Sequence, residues 1–163
     1  MFGNLAMPPD VAGFYLEAIR DTQQRYDMHS RIAMELADAL KVVRPIQDVF
    51  YPGLEDHPGN RIIRDNYENR VDGVFYIVVK GGDKNAIAFC DFLAQNSKFW
   101  KIAVSFGSEG FRVFPVTARH CDFFGYIPGL VRISTGRNDP MGAFTDLLAA
   151  LNFLVEESEH QEA

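Results

Sequence analysis

The sequence predicts an α+β fold, in which a mostly antiparallel sheet carries helices on one face. Segments with helical or strand periodicity follow one another in the order helix, strand, helix, strand, helix, strand, strand, strand, helix. Some connections between strands are too short for the crossover that parallel strands need, so antiparallel pairing is expected. The length of 163 residues and the apolar content of 47% suit a single domain, 1–163, with a real core.

A long helix pattern opens the chain. The segment 8–10, PPD, is a helix start signal, and apolar residues then recur at three- and four-residue spacing to about Val43. Pro45 ends the pattern, because proline has no amide proton and clashes with the preceding turn. At roughly 33 residues, the helix is longer than usual in a globular domain. Residues 1–43 are therefore interpreted as a helix that spans a domain or links two domains.

The strands and the other helices lie in residues 44–155, the predicted small domain. The predicted strands run from Ile46 to Tyr51, Val74 to Lys80, Trp100 to Ser105, Phe111 to Val116 and Leu130 to Thr135. Helices are predicted at about 61–69, 84–96 and 140–155, and Asp83 and Asp139 are expected to cap the last two. Pro115 confines its strand to an edge or places it at a strand end. The acidic tail, 156–163, is expected to fray.

Composition excludes several classes of partner. A net charge of −6 argues against a nucleic-acid partner and against anionic membranes, both of which favour a basic surface. No apolar run approaches the roughly 20 residues of a membrane span, and residues 1–10 lack the pattern of a signal peptide. Cys90 and Cys121 have no metal-like spacing and are interpreted as reduced, buried thiols of a cytoplasmic protein. The four histidines are scattered and predict no metal site.

Five short motifs follow one another in the second half of the chain. They are FYPGLEDHPGN (50–60), VVKGG (78–82), AVSFGSEG (103–110), FPVTARH (114–120) and GLVRISTGRND (129–139). In this order they resemble the C-terminal part of the Cys/Met-metabolism PLP enzymes, a family with cystathionine γ-synthase, cystathionine lyases and methionine γ-lyase. Arg25 and His29 also match an R-x-x-x-H of that family. Each motif alone is weak, but the ordered set is specific, and the resemblance extends from Met7 to Leu154.

The chain departs from the family pattern at several positions. Ser108 stands where the family has a second loop glycine, one residue is missing before Pro115, and Arg119-His120 replaces a Thr-His pair. The segment 121–129 is shorter and more aromatic than usual. The subclass therefore stays open between β-lyase, γ-lyase and γ-synthase.

The resemblance implies the C-terminal domain of a fold-type I PLP enzyme. In that family pyridoxal 5'-phosphate (PLP) is held by a lysine in a Ser-x-Thr-Lys context, within a large N-terminal domain. None of this chain's lysines has that context: Lys41, Lys80, Lys84, Lys98 and Lys101. The chain alone is therefore expected to bind no PLP and to be inactive. The full-length form is expected to carry the large PLP domain, to assemble as a homo-oligomer, and to catalyse C–S elimination or γ-replacement on an amino-acid substrate.

Arg132 is the main candidate for substrate binding. Strand alternation places Val131 and Ile133 on one sheet face, with Arg132 and Ser134 on the other. A guanidinium binds a carboxylate through two parallel hydrogen bonds, although composition alone favours an ordinary surface arginine. The resemblance implies that Arg132 binds the α-carboxylate of the substrate and that Ser105 helps to seat it. For Ser105, a plain strand-to-loop turn is an equally good interpretation.

Other conspicuous residues are interpreted as structural. His57 is expected to shape a turn beside proline, His120 to be structural, and the segment 81–83 to be a turn before a helix rather than a phosphate loop. A cluster of aromatic residues is expected to serve docking or loop packing: Phe123, Phe124 and Tyr126. A second function from another class also stays open, a stand-alone, non-catalytic binding or assembly module derived from the same family.

Overall fold

The structure is a computed structural model that describes residues 7–68, 70–107, 109–118 and 125–162. Within these residues five strands form one sheet: β1 (Ile46–Phe50), β2 (Val74–Val79), β3 (Trp100–Ile102), β4 (Phe111–Pro115) and β5 (Leu130–Ser134). The strand order is β1-β2-β5-β4-β3, and only the β3–β4 pair is parallel. The α+β class and the mostly antiparallel sheet are thus confirmed. β4 lies inside the sheet, and Pro115 is tolerated there because it is the last residue of its strand.

Five helices accompany the sheet in the described residues: α1 (Pro9–Arg20), α2 (Thr22–Leu40), α3 (Asn60–Tyr67), α4 (Gly82–Asn96) and α5 (Pro140–Glu162). The α4 helix contacts four strands and packs against α5, while α2 contacts β1 and β2. These three helices share one buried core with the sheet residues Phe75, Ile77, Val113, Val131 and Ile133. The indole N–H of Trp100, itself buried, donates to the carbonyl of Ala143 over 2.9 Å and ties β3 to α5.

The long first helix is divided in two, contrary to the prediction of one continuous helix to Val43. Asp21 separates α1 from α2 although its angles, φ −80° and ψ −13°, stay right-handed. The cause lies at the carbonyl of Ala18, which accepts from Thr22 Oγ1 (3.0 Å) and from Arg25 Nη2 (2.9 Å). Hydrogen bonds of this kind from Ser or Thr back to the preceding turn often bend helices.

Three other predictions needed correction. Asp139 caps α5 as expected, since its Oδ1 accepts the Gly142 N–H over 3.0 Å, but Asp83 does not cap α4. That helix starts at Gly82, two residues earlier than predicted, and the Asp83 carboxylate instead accepts the Gly129 N–H over 3.0 Å. The α5 helix continues to Glu162, beyond its predicted end at about residue 155. Its tail consists largely of good helix formers, chiefly Glu and Gln. The third correction concerns β3, which ends three residues before the predicted Ser105.

The second face of the sheet carries a row of side chains across four strands. The register pairs Phe50 with Tyr76, Tyr76 with Arg132, and Arg132 with Phe114. We call this set, Phe50, Tyr76, Arg132 and Phe114, the cross-strand row. Because side chains alternate along each strand, the row lies opposite the face that α4 covers. Three of its members, Phe50, Tyr76 and Arg132, form the floor of the candidate site.

Candidate functional site

A cleft of about 650 Å³ lies above three members of the cross-strand row, Phe50, Tyr76 and Arg132. Its walls come from α2, α3, the ends of β1 and β2, and the loop after β3. Most of the lining is apolar, and it includes Phe50, Ile63, Val71, Val74, Tyr76 and Phe106. Charged groups enter it from Arg70, Asp72 and Arg132. The cleft therefore presents an apolar surface with a guanidinium on its floor.

The guanidinium of Arg132 is held from one side by backbone carbonyls. Its Nη1 donates to the carbonyl of Val104 over 3.1 Å and to that of Ser105 over 3.2 Å. These two contacts use both Nη1 protons. The Nε and Nη2 atoms have no hydrogen-bond partner among the described residues. Together they form a planar pair of donors, which is the geometry that a carboxylate accepts through two parallel bonds.

An aromatic ring completes the environment of Arg132. The ring centroid of Phe106 lies 5.2 Å from Cζ, within the range of a cation–π contact. Tyr76 and Phe114 flank the arginine on the neighbouring strands. Sequence reasoning identified Arg132 but missed these aromatic neighbours, because strand pairing is non-local. Phe106 lies in the motif AVSFGSEG (103–110), but the spacing of residues in that motif does not indicate a contact with Arg132.

The loop after β3 is also joined to β5 by Ser134. Its hydroxyl oxygen accepts the Gly107 N–H over 2.6 Å, and the serine is only 2% exposed. A Cβ atom at Gly107 would overlap the backbone of Thr135, so glycine permits this close approach. Strand alternation predicted Ser134 on the face of Arg132, which was the available signal for its position.

Ser105, the second predicted site residue, meets Arg132 through its backbone. Its carbonyl oxygen accepts from the guanidinium, and the residue is exposed at the start of the loop. The structure therefore brings the two predicted site residues together. A direct role of Ser105 toward a carboxylate stays a prediction.

The predicted histidines have structural contacts where they are described. Nδ1 of His57 accepts the Gly59 N–H over 3.0 Å, which shapes the turn before α3. Nδ1 of His29 lies 3.2 Å from Oγ1 of Thr135 and links α2 to the end of β5. Burial lowers the pKa of His29, so the neutral ring is favoured. Ser108, Arg119, His120, Cys121, Phe123 and Phe124 lie outside the described residues.

Two buried groups support the fold around the cleft. Tyr51 is fully buried, and its hydroxyl lies 3.2 Å from the carbonyl of Ser30 and 3.0 Å from that of Asp72. Desolvation raises the pKa of Tyr51 to about 12. Burial likewise raises the pKa of the Cys90 thiol, a free cysteine of the core. Both groups are therefore neutral at ordinary pH and act in packing.

Three lysines of the described residues have structural contacts. Lys41 pairs with Asp56 at 2.6 Å, Lys80 donates to the carbonyl of Arg44 over 2.7 Å, and Lys98 lies over the ring of Phe99. No lysine is among the residues that line the cleft in the described part of the chain. Among the described lining residues, the cationic side chains of the cleft are therefore arginines, Arg70 and Arg132.

The described ranges contain neither a metal-binding cluster nor a membrane span. Nowhere in them do three or more His, Cys, Asp or Glu side chains gather in a group that could hold a metal ion. No helix in these ranges has both the length and the apolar character needed to cross a membrane.

Comparisons with characterised proteins identify similarity to PLP enzymes. The chain is 26% identical over 147 residues to L-methionine gamma-lyase of Fusobacterium nucleatum subsp. nucleatum, covering 85% of this chain and 36% of that protein. It is 28% identical over 151 residues to cystathionine beta-lyase of Lactococcus lactis subsp. cremoris, covering 88% and 38%. The chain therefore spans little more than a third of the length of these relatives.

Solved structures share the fold. The crystal structure of metB from Corynebacterium glutamicum matches with a TM-score of 0.74 and 29% identity, over 89% of this chain and 38% of that one. An O-acetylhomoserine sulfhydrylase of Wolinella succinogenes matches with the same TM-score at 19% identity, over 90% and 39%, and supports the fold alone. The model of one family matches residues 3–152. Since this match covers most of the sequence, the chain belongs to the Cys/Met metabolism PLP-dependent enzymes.

Proposed function

We propose that the chain is the small, substrate-carboxylate-binding domain of a PLP-dependent transsulfuration-type enzyme that acts on sulfur amino acids. The reaction of the full-length enzyme would be C–S bond cleavage or γ-replacement. The observation that carries the proposal is the Nε–Nη2 edge of Arg132, whose other protons are bound to the carbonyls of Val104 and Ser105. The names of the relatives, a methionine gamma-lyase and a cystathionine beta-lyase, support the choice of substrate class.

In this proposal the chain's own residues bind and orient the substrate. The α-carboxylate accepts two hydrogen bonds from Arg132, and a hydrogen bond to a charged group contributes about 1.5–3 kcal/mol. The carbonyls at Nη1 fix the plane of the guanidinium, so little freedom is lost when the carboxylate arrives. The largely apolar cleft walls add few groups that compete for these hydrogen bonds. Ser105 contributes its backbone to the same seat.

The cofactor and its lysine belong, in this proposal, to the N-terminal large PLP domain. PLP supplies the electron sink for bond cleavage at the substrate. The α1 helix has no buried residue, and Phe14, Leu16 and Ile19 are at least 60% exposed. We expect the large domain to cover this apolar helix in a homo-oligomeric enzyme. A cytoplasmic location is part of the proposal and agrees with the free thiol of Cys90.

Carboxylate binding by the chain is tested by NMR on the side-chain Nε–H of Arg132. L-Methionine is titrated into the labelled chain, with 3-(methylthio)propylamine as the matched ligand that lacks the carboxylate. We expect L-methionine to shift the Arg132 signal with a dissociation constant on the order of 10 mM or weaker, as one guanidinium contact implies. The amine should leave the signal unchanged.

Two variants complete this test. Arg132→Lys identifies the signal and should abolish the backbone shifts around the loop after β3. Arg112→Lys is the matched control, because Arg112 lies on the neighbouring strand and its Nη1 bonds only to the carbonyl of Phe111 among described residues. Equal shifts with both ligands, or none with either, would contradict the carboxylate site. The absence of a shift with either ligand would favour the alternative, a non-catalytic binding or assembly module.

A further inference from the structure

The loop that carries the acceptors for Arg132 gains little from burial of its own side chains. Val104 is 70% exposed and Phe106 is 71% exposed. Apolar burial stabilises a segment in proportion to the area removed from water, so this contribution is small here. The position of the Val104 and Ser105 carbonyls must therefore depend on hydrogen bonds and backbone packing.

Two hydrogen bonds bracket this loop. On one side the Ala103 N–H donates to the carbonyl of Val113 over 3.2 Å. On the other side the Gly107 N–H donates to Oγ of Ser134 over 2.6 Å. Segment 104–106 lies between these two anchors. Only the second anchor uses a side chain, and it can be removed without changing the backbone.

The Ser134 hydroxyl can affect the orientation of Arg132, because both residues lie on one strand. Ser134 lies two residues after Arg132 on β5, on the same sheet face, and is 2% exposed. Farther along the loop, the carbonyl of Glu109 accepts the N–H groups of Arg137 and Asn138, both over 2.9 Å. That anchor lies beyond Gly107, so it does not replace the Ser134 contact next to the two carbonyls.

We propose that Ser134 is a positioning residue for Arg132, which acts by fixing the loop whose carbonyls orient the guanidinium. The inference rests on the proposed carboxylate-binding role of Arg132 and adds a residue to it. Without the hydroxyl, the Gly107 N–H loses its acceptor and the loop moves relative to β5. The guanidinium then samples several orientations, and its Nε–Nη2 edge is no longer held ready for a carboxylate.

The test compares three substitutions on one strand. Ser134→Ala removes the acceptor, and Ser134→Cys keeps a similar volume with a weak acceptor in case the alanine variant fails to fold. Thr135→Val is the matched control, because Thr135 is also fully buried and hydrogen-bonded, but to His29 and Gly73 on the side of α2. Thr135→Val should lower the stability of the chain without moving segment 104–106.

Two readouts separate positioning from stability. The heteronuclear NOE of the Arg132 Nε–H reports side-chain order without any ligand, and the L-methionine titration reports affinity. We expect both Ser134 variants to lower the NOE, to expose the Gly107 amide to hydrogen exchange, and to weaken L-methionine binding about three- to tenfold. Thr135→Val should change none of these, although its melting temperature falls.

The outcomes distinguish this inference from the proposed function. If the unsubstituted chain does not respond to L-methionine, the carboxylate site fails, while the NOE still decides whether Ser134 orders Arg132. An unchanged NOE and an unchanged affinity in Ser134→Ala and Ser134→Cys would overturn the positioning role. Equal losses in the Ser134 and Thr135 variants would do so as well, because they would indicate a general effect of stability.

Discussion

Arg132 combines two kinds of contact that a lysine cannot reproduce. Two backbone carbonyls occupy the protons of Nη1, while the opposite edge of the same plane stays available for a ligand. A lysine ammonium is a compact point charge on a flexible stem, and it lacks this rigid planar fork. A change to lysine therefore keeps the charge but removes the orientation.

In the full-length enzyme, we expect Arg132→Lys to lower kcat/KM by about ten- to a hundredfold, the loss of one charged hydrogen bond. The loss should be smaller for a substrate analogue without the α-carboxylate, because the removed contact was never made. Steady-state kinetics with both substrates and thermal unfolding measure this. Arg112→Lys serves as the control on the neighbouring strand. If Arg132→Lys lowered the melting temperature and affected both substrates equally, Arg132 would be a structural residue.

Tyr51 predicts a defined dependence of stability on pH. Desolvation raises its pKa in the folded chain to about 12, above the ordinary value of 10.0. Above pH 10 the unfolded chain loses this proton while the folded chain keeps it, so the free energy of unfolding falls as pH rises from about 10 to 12. Urea unfolding at pH 8 to 11 should show a smaller decrease for Tyr51→Phe than for the unsubstituted chain. If the free energy of unfolding decreased equally with pH in both proteins, Tyr51 would not contribute to this pH dependence.

Among the elements, the strand positions could be predicted from sequence, but their order in the sheet could not. Alternation is a local property, so the sequence alone predicted that Arg132 and Ser134 share one face of β5. The insertion of β5 between β2 and β4 depends on non-local packing, which also brings Phe114 and Tyr76 to Arg132.

The helix ends, too, could be predicted from sequence only where their contacts are local. Asp139 was recognised because its cap is formed within its own turn. The expected cap at Asp83 was wrong because Gly129, far away in sequence, takes its carboxylate. The break at Asp21 arises from side-chain bonds to the carbonyl of Ala18, which the apolar periodicity does not reveal.

The start of α5 offers a test of these capping arguments. Asp139 has a left-handed φ of 45° and also accepts the Gly142 N–H through its side chain. Asp139→Ala loses the cap and places alanine in a strained conformation, so we expect the free energy of unfolding to fall by about 1–3 kcal/mol. Asp139→Gly loses the cap but tolerates the angle, and should cost less. Urea denaturation measures both, and equal losses would exclude the contribution of the left-handed angle.

For the molecule as a whole, the chain corresponds to only part of its relatives' length, and we propose that the rest of the active site lies outside it. The chain spans 36% to 38% of its relatives' length in the matches described above. It provides a sheet, a helical layer and Arg132, and apolar side chains of α1 are exposed. The division into a linking helix 1–43, a small domain 44–155 and a tail 156–163 stays a prediction at this scale.

The contacts of the lysines determine how the chain should react with PLP. Lys41 and Lys80 are engaged in polar contacts, Lys98 lies over an aromatic ring, and the described cleft residues include no lysine. A lysine attacks a carbonyl efficiently only where desolvation or a neighbouring cation lowers its pKa. The hydrogen bond with Asp56 raises the pKa of Lys41, which opposes such activation there. PLP should therefore react slowly and at several sites.

We expect no stoichiometric PLP adduct and no C–S lyase activity from the chain alone. After incubation with PLP and reduction with borohydride, peptide mapping should give weak labelling spread over several lysines. A lysine-rich protein outside this family, treated in parallel, defines the background of such labelling. One lysine carrying a single equivalent of PLP would show that the chain holds a cofactor site of its own. It would then have to be regarded as a complete PLP-binding unit rather than the substrate-binding part of a larger enzyme.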